Sequence, residues 1–255
     1  MTAAPAGRAL IVGGSRGIGA AIVRVLAIAG WKVAFTYNKH RLRSEKLVEG
    51  LPQGCERPLI RQLDVCDPEA VERMAAFVAE RLGAIDCLVL SASGGLELDK
   101  PASYAREINV DAQLRLVRTM LPSIAAGGRV VFLTSHEAHF SDRMAPYPPY
   151  AAIAETKRLG ETELRRLFGR LADRPVALEI VSADLVEGTA TAKLLEMNDP
   201  ERIEARRAEV GALPTPDDVA ARVLELCRLN RGGGVFTTYV WEPDARYSDL
   251  QRRSG

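Results

Sequence analysis

Residues 8–19 read RALIVGGSRGIG, and the fold follows from the way this stretch changes character. Ala9 to Val12 is a short apolar run suited to a strand, and the residues from Gly17 onward, GIGAAIVRVLAIAG, have helical spacing. Gly13, Gly17 and Gly19 stand between and at the helix start in a G-x-x-x-G-x-G spacing. A strand-to-helix turn of this kind needs glycine for three reasons. One residue adopts a backbone conformation denied to side chains, one lets the backbone approach a pyrophosphate, and one lets helix and strand lie close together. The free N–H groups and positive end of the helix then face the phosphates. Gly13, Ser15, Arg16, Gly17, Ile18 and Gly19 are therefore the first candidates for holding a dinucleotide.

Working outward, short β-rich runs alternate with longer amphipathic ones. Ala9–Val12, Lys32–Tyr37, Pro58–Leu63, Ile85–Ser91, Arg129–Thr134, Val176–Ser182 and Val235–Val240 are the strand candidates. Runs such as CLVLSA and RVVFLTS are apolar at consecutive positions, as strands covered on both faces must be. Between the strands lie PEAVERMAAFVAERLG, NVDAQLRLVRTMLPSIAAGG and YAAIAETKRLGETELRRLFGRLA, all with helical spacing. The pattern predicts an α/β fold, a doubly wound, parallel, seven-stranded sheet of Rossmann type with helices on both faces. With no internal repeat and no Gly/Ser linker, residues 1–255 read as one domain. The charged segment from Glu187 to Pro216, which includes EMNDPERIEARRAEVG, falls after the sixth strand and reads as a substrate lid over about 187–216.

Bulk properties narrow the function. A chain of 255 residues, 47% hydrophobic, can bury a sizeable core, and 34 basic against 33 acidic side chains leave a net charge of +1. That balance argues against nucleic acid as a partner. Cys55, Cys66, Cys87 and Cys227 lie far apart with no CxxC pair, which suits a reduced, cytosolic compartment rather than a disulfide scaffold or zinc site. No apolar run reaches the ~20 residues that cross a bilayer, and the first strand starts too early to leave room for a cleavable signal. HEAH, at residues 136–139, lacks the spacing of a metal-binding HExxH.

The region after the second strand chooses between cofactors. Dinucleotide sites that prefer NAD place an acid ~20 residues beyond the glycines to hold the ribose hydroxyls. Here the sequence reads TYNKHRLRSEK: Thr36, Tyr37 and Asn38 carry no acid, while Lys39, Arg41, Arg43 and Arg16 offer cations for a 2′-phosphate. NADPH is the expected cofactor, with Asn38 and Lys39 among its contacts.

In the order of these landmarks the chain resembles the short-chain dehydrogenase/reductase family over nearly its whole length. The resemblance implies an adenine contact at Asp64 and Val65 in LDV, a cofactor-lining segment at Ser91 and Ala92 in LVLSASGG, and a helix-embedded Asn109 in INV that positions a water in a proton path. It further implies that Ser135, ending VVFLTS, holds the substrate oxygen, and that Thr189 in EGTATAK contacts the nicotinamide carboxamide or phosphates. The catalytic Tyr and Lys depart from the usual Tyr-x-x-x-Lys: Ile153 stands four before Lys157, and Tyr150 stands seven before it. Seven residues is ~700° of helix, so Tyr150 and Lys157 still share a face. This Tyr-x6-Lys spacing resembles the divergent branch containing NADPH-dependent enoyl-acyl-carrier-protein reductases. Val12, Ser91, Ala92 and the Pro-Gly-free SADLVEGTAT depart from the common family pattern.

Hydride transfer to C=O or C=C leaves negative charge on an oxygen, which must be stabilised and protonated. Tyr150 is the candidate acid and Lys157 the candidate ammonium that favours phenolate and, by resemblance, holds the nicotinamide ribose. Tyr147 is a rival acid. Three readings stand: reduction of a carbonyl on a ketone or ketoacyl substrate, small or carrier-bound; reduction of an enoyl thioester; and a non-catalytic NADPH-binding sensor or scaffold. The resemblance also implies a homodimer or homotetramer.

Overall fold

The computed structural model describes residues 5–97, 99–171 and 174–241. The remainder of the expected 1–255 domain, including Ala172 at the end of the last long helical stretch, lies outside the described residues. Seven strands form one sheet: β1 (Arg8–Val12), β2 (Lys32–Tyr37), β3 (Leu59–Gln62), β4 (Ile85–Leu90), β5 (Ile124–Ser135), β6 (Ala177–Ala183) and β7 (Gly234–Val240). Their order is β3-β2-β1-β4-β5-β6-β7, and every neighbouring pair is parallel. The expected doubly wound sheet is thus present. The chain leaves β1 toward β3 on one side and restarts at β4 on the other, which opens a crevice at the carboxyl ends of β1 and β4.

Helices α1 (Gly17–Ile28) and α10 (Pro216–Arg228) cover one face; α3 (Pro68–Arg81), α5 (Ala112–Met120) and α7 (Ala151–Gly169) cover the other. The strands alternate between these layers with period two. Leu10, Val12 and Ala34 join the core under α3, α5 and α7, while Ala9, Ile11, Val33 and Phe35 join the one under α1 and α10. The central strands are apolar at consecutive positions, as in Ala9–Val12 and Cys87–Leu90, because both faces are covered. Helix α2 (Arg41–Glu49), between β2 and β3, buries only Ser44, so it contributes little core.

Two stretches differ from the sequence expectation. The helical reading of residues 109–128 ends at Met120, and Ile124–Gly128 already belongs to β5. Pro122 sits in a short 3-10 turn after the helix, and Ile124 pairs with Ile85 before the register shifts. Ahead of α5, the short helix α4 (Tyr104–Arg106) widens into a π turn over Glu107–Asp111, which places Asn109. The segment expected as a lid folds as two helices, α8 (Ala190–Asn198) and α9 (Pro200–Val210), with Ala192, Leu195, Ile203 and Arg206 buried. Among the described residues no helix is long and apolar enough to cross a membrane.

Candidate active site

The glycine turn is shaped by close approach. Gly13 has φ +85°, and a Cβ there would sit 2.8 Å from the Ala92 backbone nitrogen, so the turn after β1 lies directly on the chain leaving β4. A Cβ at Gly19 would collide with the Gly13 carbonyl. Thr36, at the end of β2, accepts a hydrogen bond from the Gly13 N–H at 3.0 Å and fixes the turn from below. Gly17 has φ +53°, and a Cβ there would meet only the Thr189 methyl, at 4.0 Å, so the space above it is open. Helix α1 starts there with no side-chain cap and no acidic residue in its first turn. Its positive end is left to an anion. The turn therefore fits a pyrophosphate.

A cleft of about 590 Å³ opens in front of this turn, bordered by Arg16, Ile18, Ser91, Ser135, Tyr150, Lys157 and Thr189. Ser135 ends β5 and starts the short helix α6 (His136–His139), accepting a hydrogen bond from the Ala138 N–H at 3.2 Å. Tyr150 ends a 3-10 turn over Pro148–Tyr150 and leads into α7, with Pro148 and Pro149 at positions where a missing N–H costs nothing. The Ser135 Oγ and Tyr150 Oη lie 3.3 Å apart. Burial raises the Tyr150 pKa to about 12, against a lowering by the Ser135 hydrogen bond. Lys157, two turns along, borders the same cleft, and burial lowers its pKa to about 8.

Asn109 supports the site from behind. Its side chain is buried, accepting from the Gly94 N–H at 3.3 Å and donating to the Gly94 carbonyl at 2.9 Å and to Thr156 Oγ1 at 3.0 Å. It thus ties the segment after β4 to the residue before Lys157. Gln113 does similar work, donating to the Ala92 carbonyl at 3.0 Å. Thr189 caps α8: its hydroxyl donates to the Val186 carbonyl at 2.8 Å and accepts from the Ala192 N–H at 3.1 Å. Its hydroxyl is engaged locally, and its methyl faces the open space above Gly17.

The expected cations do not gather in one place. Arg16 is exposed at the rim of the main cleft, whereas Asn38, Arg41 and Asp64 border a second cleft of about 550 Å³ at the ends of β2 and β3. Arg41 is engaged by Glu45 at 2.7 Å, an i,i+4 pair visible in the sequence. Lys39 is exposed beside Asn38. The Asp64 carboxylate accepts from the Cys66 N–H at 2.9 Å, and Val65 is buried in the core, so their side chains serve the turn and the interior.

Four charged residues also border the main cleft: Glu137, Asp184, Arg202 and Arg206, whose place there the sequence does not reveal. Tyr147, the rival acid, borders the same cleft, but its hydroxyl is engaged away from Ser135, donating to Asp199 Oδ2 at 3.2 Å. Within α6, His136 Nδ1 lies 2.8 Å from Ser182 Oγ and His139 Nδ1 lies 2.9 Å from the buried Glu161. Burial lowers the His136 pKa to about 4, so its ring stays neutral.

Comparison with known proteins agrees with this architecture. The sequence profile of the family described as "Enoyl-(Acyl carrier protein) reductase" matches residues 12–233. Versicolorin reductase 1 of Aspergillus parasiticus is 27% identical over 185 residues, covering 70% of this chain and 69% of that protein. Carbonyl reductase [NADPH] 1 of Sus scrofa is 31% identical over 137 residues, covering 51% and 47%. Among solved structures, a short-chain dehydrogenase from Burkholderia cenocepacia J2315 in complex with NADP superposes with a TM-score of 0.71 at 28% identity, covering 92% of this chain and 98% of that one. With a profile match across residues 12–233, carried by this sheet and this site, the chain belongs to the short-chain dehydrogenase/reductase family.

Proposed function

We propose that the chain is an NADPH-dependent reductase that transfers hydride to the carbonyl carbon of a small ketone or a ketoacyl substrate, free or carrier-bound. The observation that carries this reading is the pair of oxygens, Ser135 Oγ and Tyr150 Oη, 3.3 Å apart in the cleft that the glycine turn and Lys157 also border. Two hydroxyls at that separation can both donate to one carbonyl oxygen. The uncapped start of α1 and the open space over Gly17 fit the pyrophosphate, and Arg16, Asn38 and Lys39 are the residues to meet the adenosine end. NADPH, when bound, supplies the hydride.

The chain's own residues do the rest. Ser135 and Tyr150 orient the carbonyl oxygen and stabilise the charge that develops on it. Tyr150, whose burial keeps it a neutral phenol, gives its proton to that oxygen, an alkoxide being the stronger base. The Lys157 ammonium offsets the phenolate left behind, and Asn109 holds the wall on which these groups are aligned. The names of the relatives support the assignment, since one is a carbonyl reductase that uses NADPH and one solved neighbour holds NADP. The enoyl-thioester reading is favoured by the Tyr-x6-Lys spacing and the description of the matching profile. The cytosol and a homodimer or homotetramer follow from the separated thiols and the family resemblance. Helices α8 and α9 act as the lid.

The test is turnover of NADPH by the purified chain with ketone, β-ketoacyl-thioester and crotonyl-thioester substrates. Oxidation of NADPH with a ketone or ketoacyl compound supports carbonyl reduction. Turnover of crotonyl thioester alone moves the assignment to enoyl reduction, and silence across a broad panel moves it to a cofactor-binding sensor.

A further inference from the structure

Helix α9 carries two arginines one turn apart that reach opposite walls of the main cleft, and the two attachments differ in strength. Arg206 reaches the wall that follows β6. Its Nε donates to Asp184 Oδ2 at 2.9 Å, its Nη2 donates to the same oxygen, and its Nη1 donates to Glu209 Oε2 at 2.7 Å. Asp184 is itself oriented, its other carboxylate oxygen accepting from the Leu185 N–H at 2.7 Å. Both side chains of this pair are nearly enclosed, at 9% and 13% exposure.

Arg202 reaches the wall that carries the proton donor. It donates to Glu137 Oε1 at 3.3 Å, two residues from Ser135, and its guanidinium lies 4.4 Å from the ring centre of Tyr147, three residues before Tyr150. Glu137 Oε2 accepts from the Tyr147 N–H at 2.9 Å, and Tyr147 donates to Asp199 at the start of α9. Arg202's own share of this attachment is one long hydrogen bond, between side chains that are 44% and 25% exposed, and a ring contact. Between the two attachments, Ile203 of α9 and Leu195 of α8 share an apolar cluster with Tyr150 and Ile153, forming a ceiling beside the proton donor.

Breaking a buried, oriented ion pair by removing one partner costs far more than releasing a half-exposed one. We propose that α9 is a hinged cover: Arg206 on Asp184 is its pivot at the nicotinamide side, and Arg202 is the latch that releases to admit substrate beside Tyr150 and then closes the apolar ceiling over it. Arg202 is on this account a positioning residue, acting through α9 on the water content and substrate fit at Tyr150. The proposal rests on the site reading above. Asp184 stands where the Pro-Gly common in the family is absent from SADLVEGTAT, and its carboxylate supplies the pivot's anion on the wall after β6.

The experiment is peptide-resolved hydrogen–deuterium exchange on the whole apo protein, which needs no substrate, together with Kd for NADPH and KM for whichever substrate the panel finds. Arg202→Gln should speed exchange across residues 195–203 by about two- to fivefold, the size of a half-exposed ion pair with a cation–π contact, while residues 204–210 stay protected. Its KM should rise while Kd for NADPH moves less than about twofold. Arg206→Lys keeps the charge and loses the paired N–H geometry, so exchange should quicken over the whole of α9, 200–210, in a protein that still folds. The proposal is overturned if Arg202→Gln leaves exchange unchanged, or loosens both halves of α9 equally. It is equally overturned if Arg206→Lys loosens less than Arg202→Gln. Silence in the substrate panel would remove the reductase assignment and leave the exchange result to decide the hinge.

Discussion

Replacing Asn109 by Ala tests how the site is held. The side chain is 2% exposed and makes three hydrogen bonds, to the Gly94 N–H, the Gly94 carbonyl and Thr156 Oγ1. Thr156 keeps its contacts to the Ala152 and Ile153 carbonyls, so the loss falls mainly on Gly94. One of the three bonds is long at 3.3 Å. At roughly 0.5–1.5 kcal/mol each, with a partly buried glycine left underpaired, the cost is about 2–3 kcal/mol. For a domain of this size that lowers Tm by roughly 5–10 °C. Because Gly94 belongs to the segment bordering the cleft, NADPH affinity should fall in parallel. Asn109→Asp should not rescue, since its carboxylate can still accept from the Gly94 N–H but would set an acceptor against the Gly94 carbonyl. Thermal unfolding followed by circular dichroism and a fluorescence titration with NADPH measure both effects. A Tm within about 1 °C of the parent, with unchanged NADPH affinity, would refute the reasoning.

Two other predictions concern charge. The Arg16 side chain makes no hydrogen bond or ion pair with another described residue and is exposed at the cleft rim, so Arg16→Ala should weaken NADPH by roughly 1–3 kcal/mol and leave NADH nearly unchanged. Equal loss for both cofactors in a binding titration would place Arg16 elsewhere than at the 2′-phosphate. The pH dependence follows from two opposite shifts. Tyr150 keeps its proton below about 12, while Lys157 keeps its positive charge only below about 8. Reduction needs the phenol and the ammonium together, so kcat/KM for NADPH should be level at neutral pH and fall as pH rises through about 8. A level profile to pH ~10 would show that Lys157 does not titrate as its burial requires.

The sheet was legible because a parallel strand covered on both faces must be apolar at consecutive positions, and CLVLSA or RVVFLTS can be little else. The glycine turn was legible for the same kind of reason: Gly13 and Gly19 stand where another atom already occupies the space of a Cβ. The start of β5 was hidden because Ile124–Gly128 continues a helical apolar spacing, and the break comes from Pro122 and from pairing with Ile85. The π turn at Asn109 has no sequence signal of its own. The residues that tie the cover, Asp184 with Arg206 and Glu137 with Arg202, lie 22 and 65 positions apart and become partners only through the fold. By contrast, the local use of Arg41 by Glu45 and the cap at Thr189 are within reach of spacing rules.

Tyr150, paired with Ser135, is proposed as the proton donor of a reductase. Steady-state turnover of Tyr150→Phe, set beside the parent and Tyr147→Phe with NADPH affinity measured on each, decides this. Phenylalanine keeps the buried ring and removes only the hydroxyl at 3.3 Å from Ser135, so turnover should fall by ~10²–10⁴-fold while NADPH binding hardly changes. Tyr147→Phe loses only its bond to Asp199 and should retain most of the activity. Near-normal turnover by Tyr150→Phe, or a folded but inactive Tyr147→Phe, would contradict the assignment.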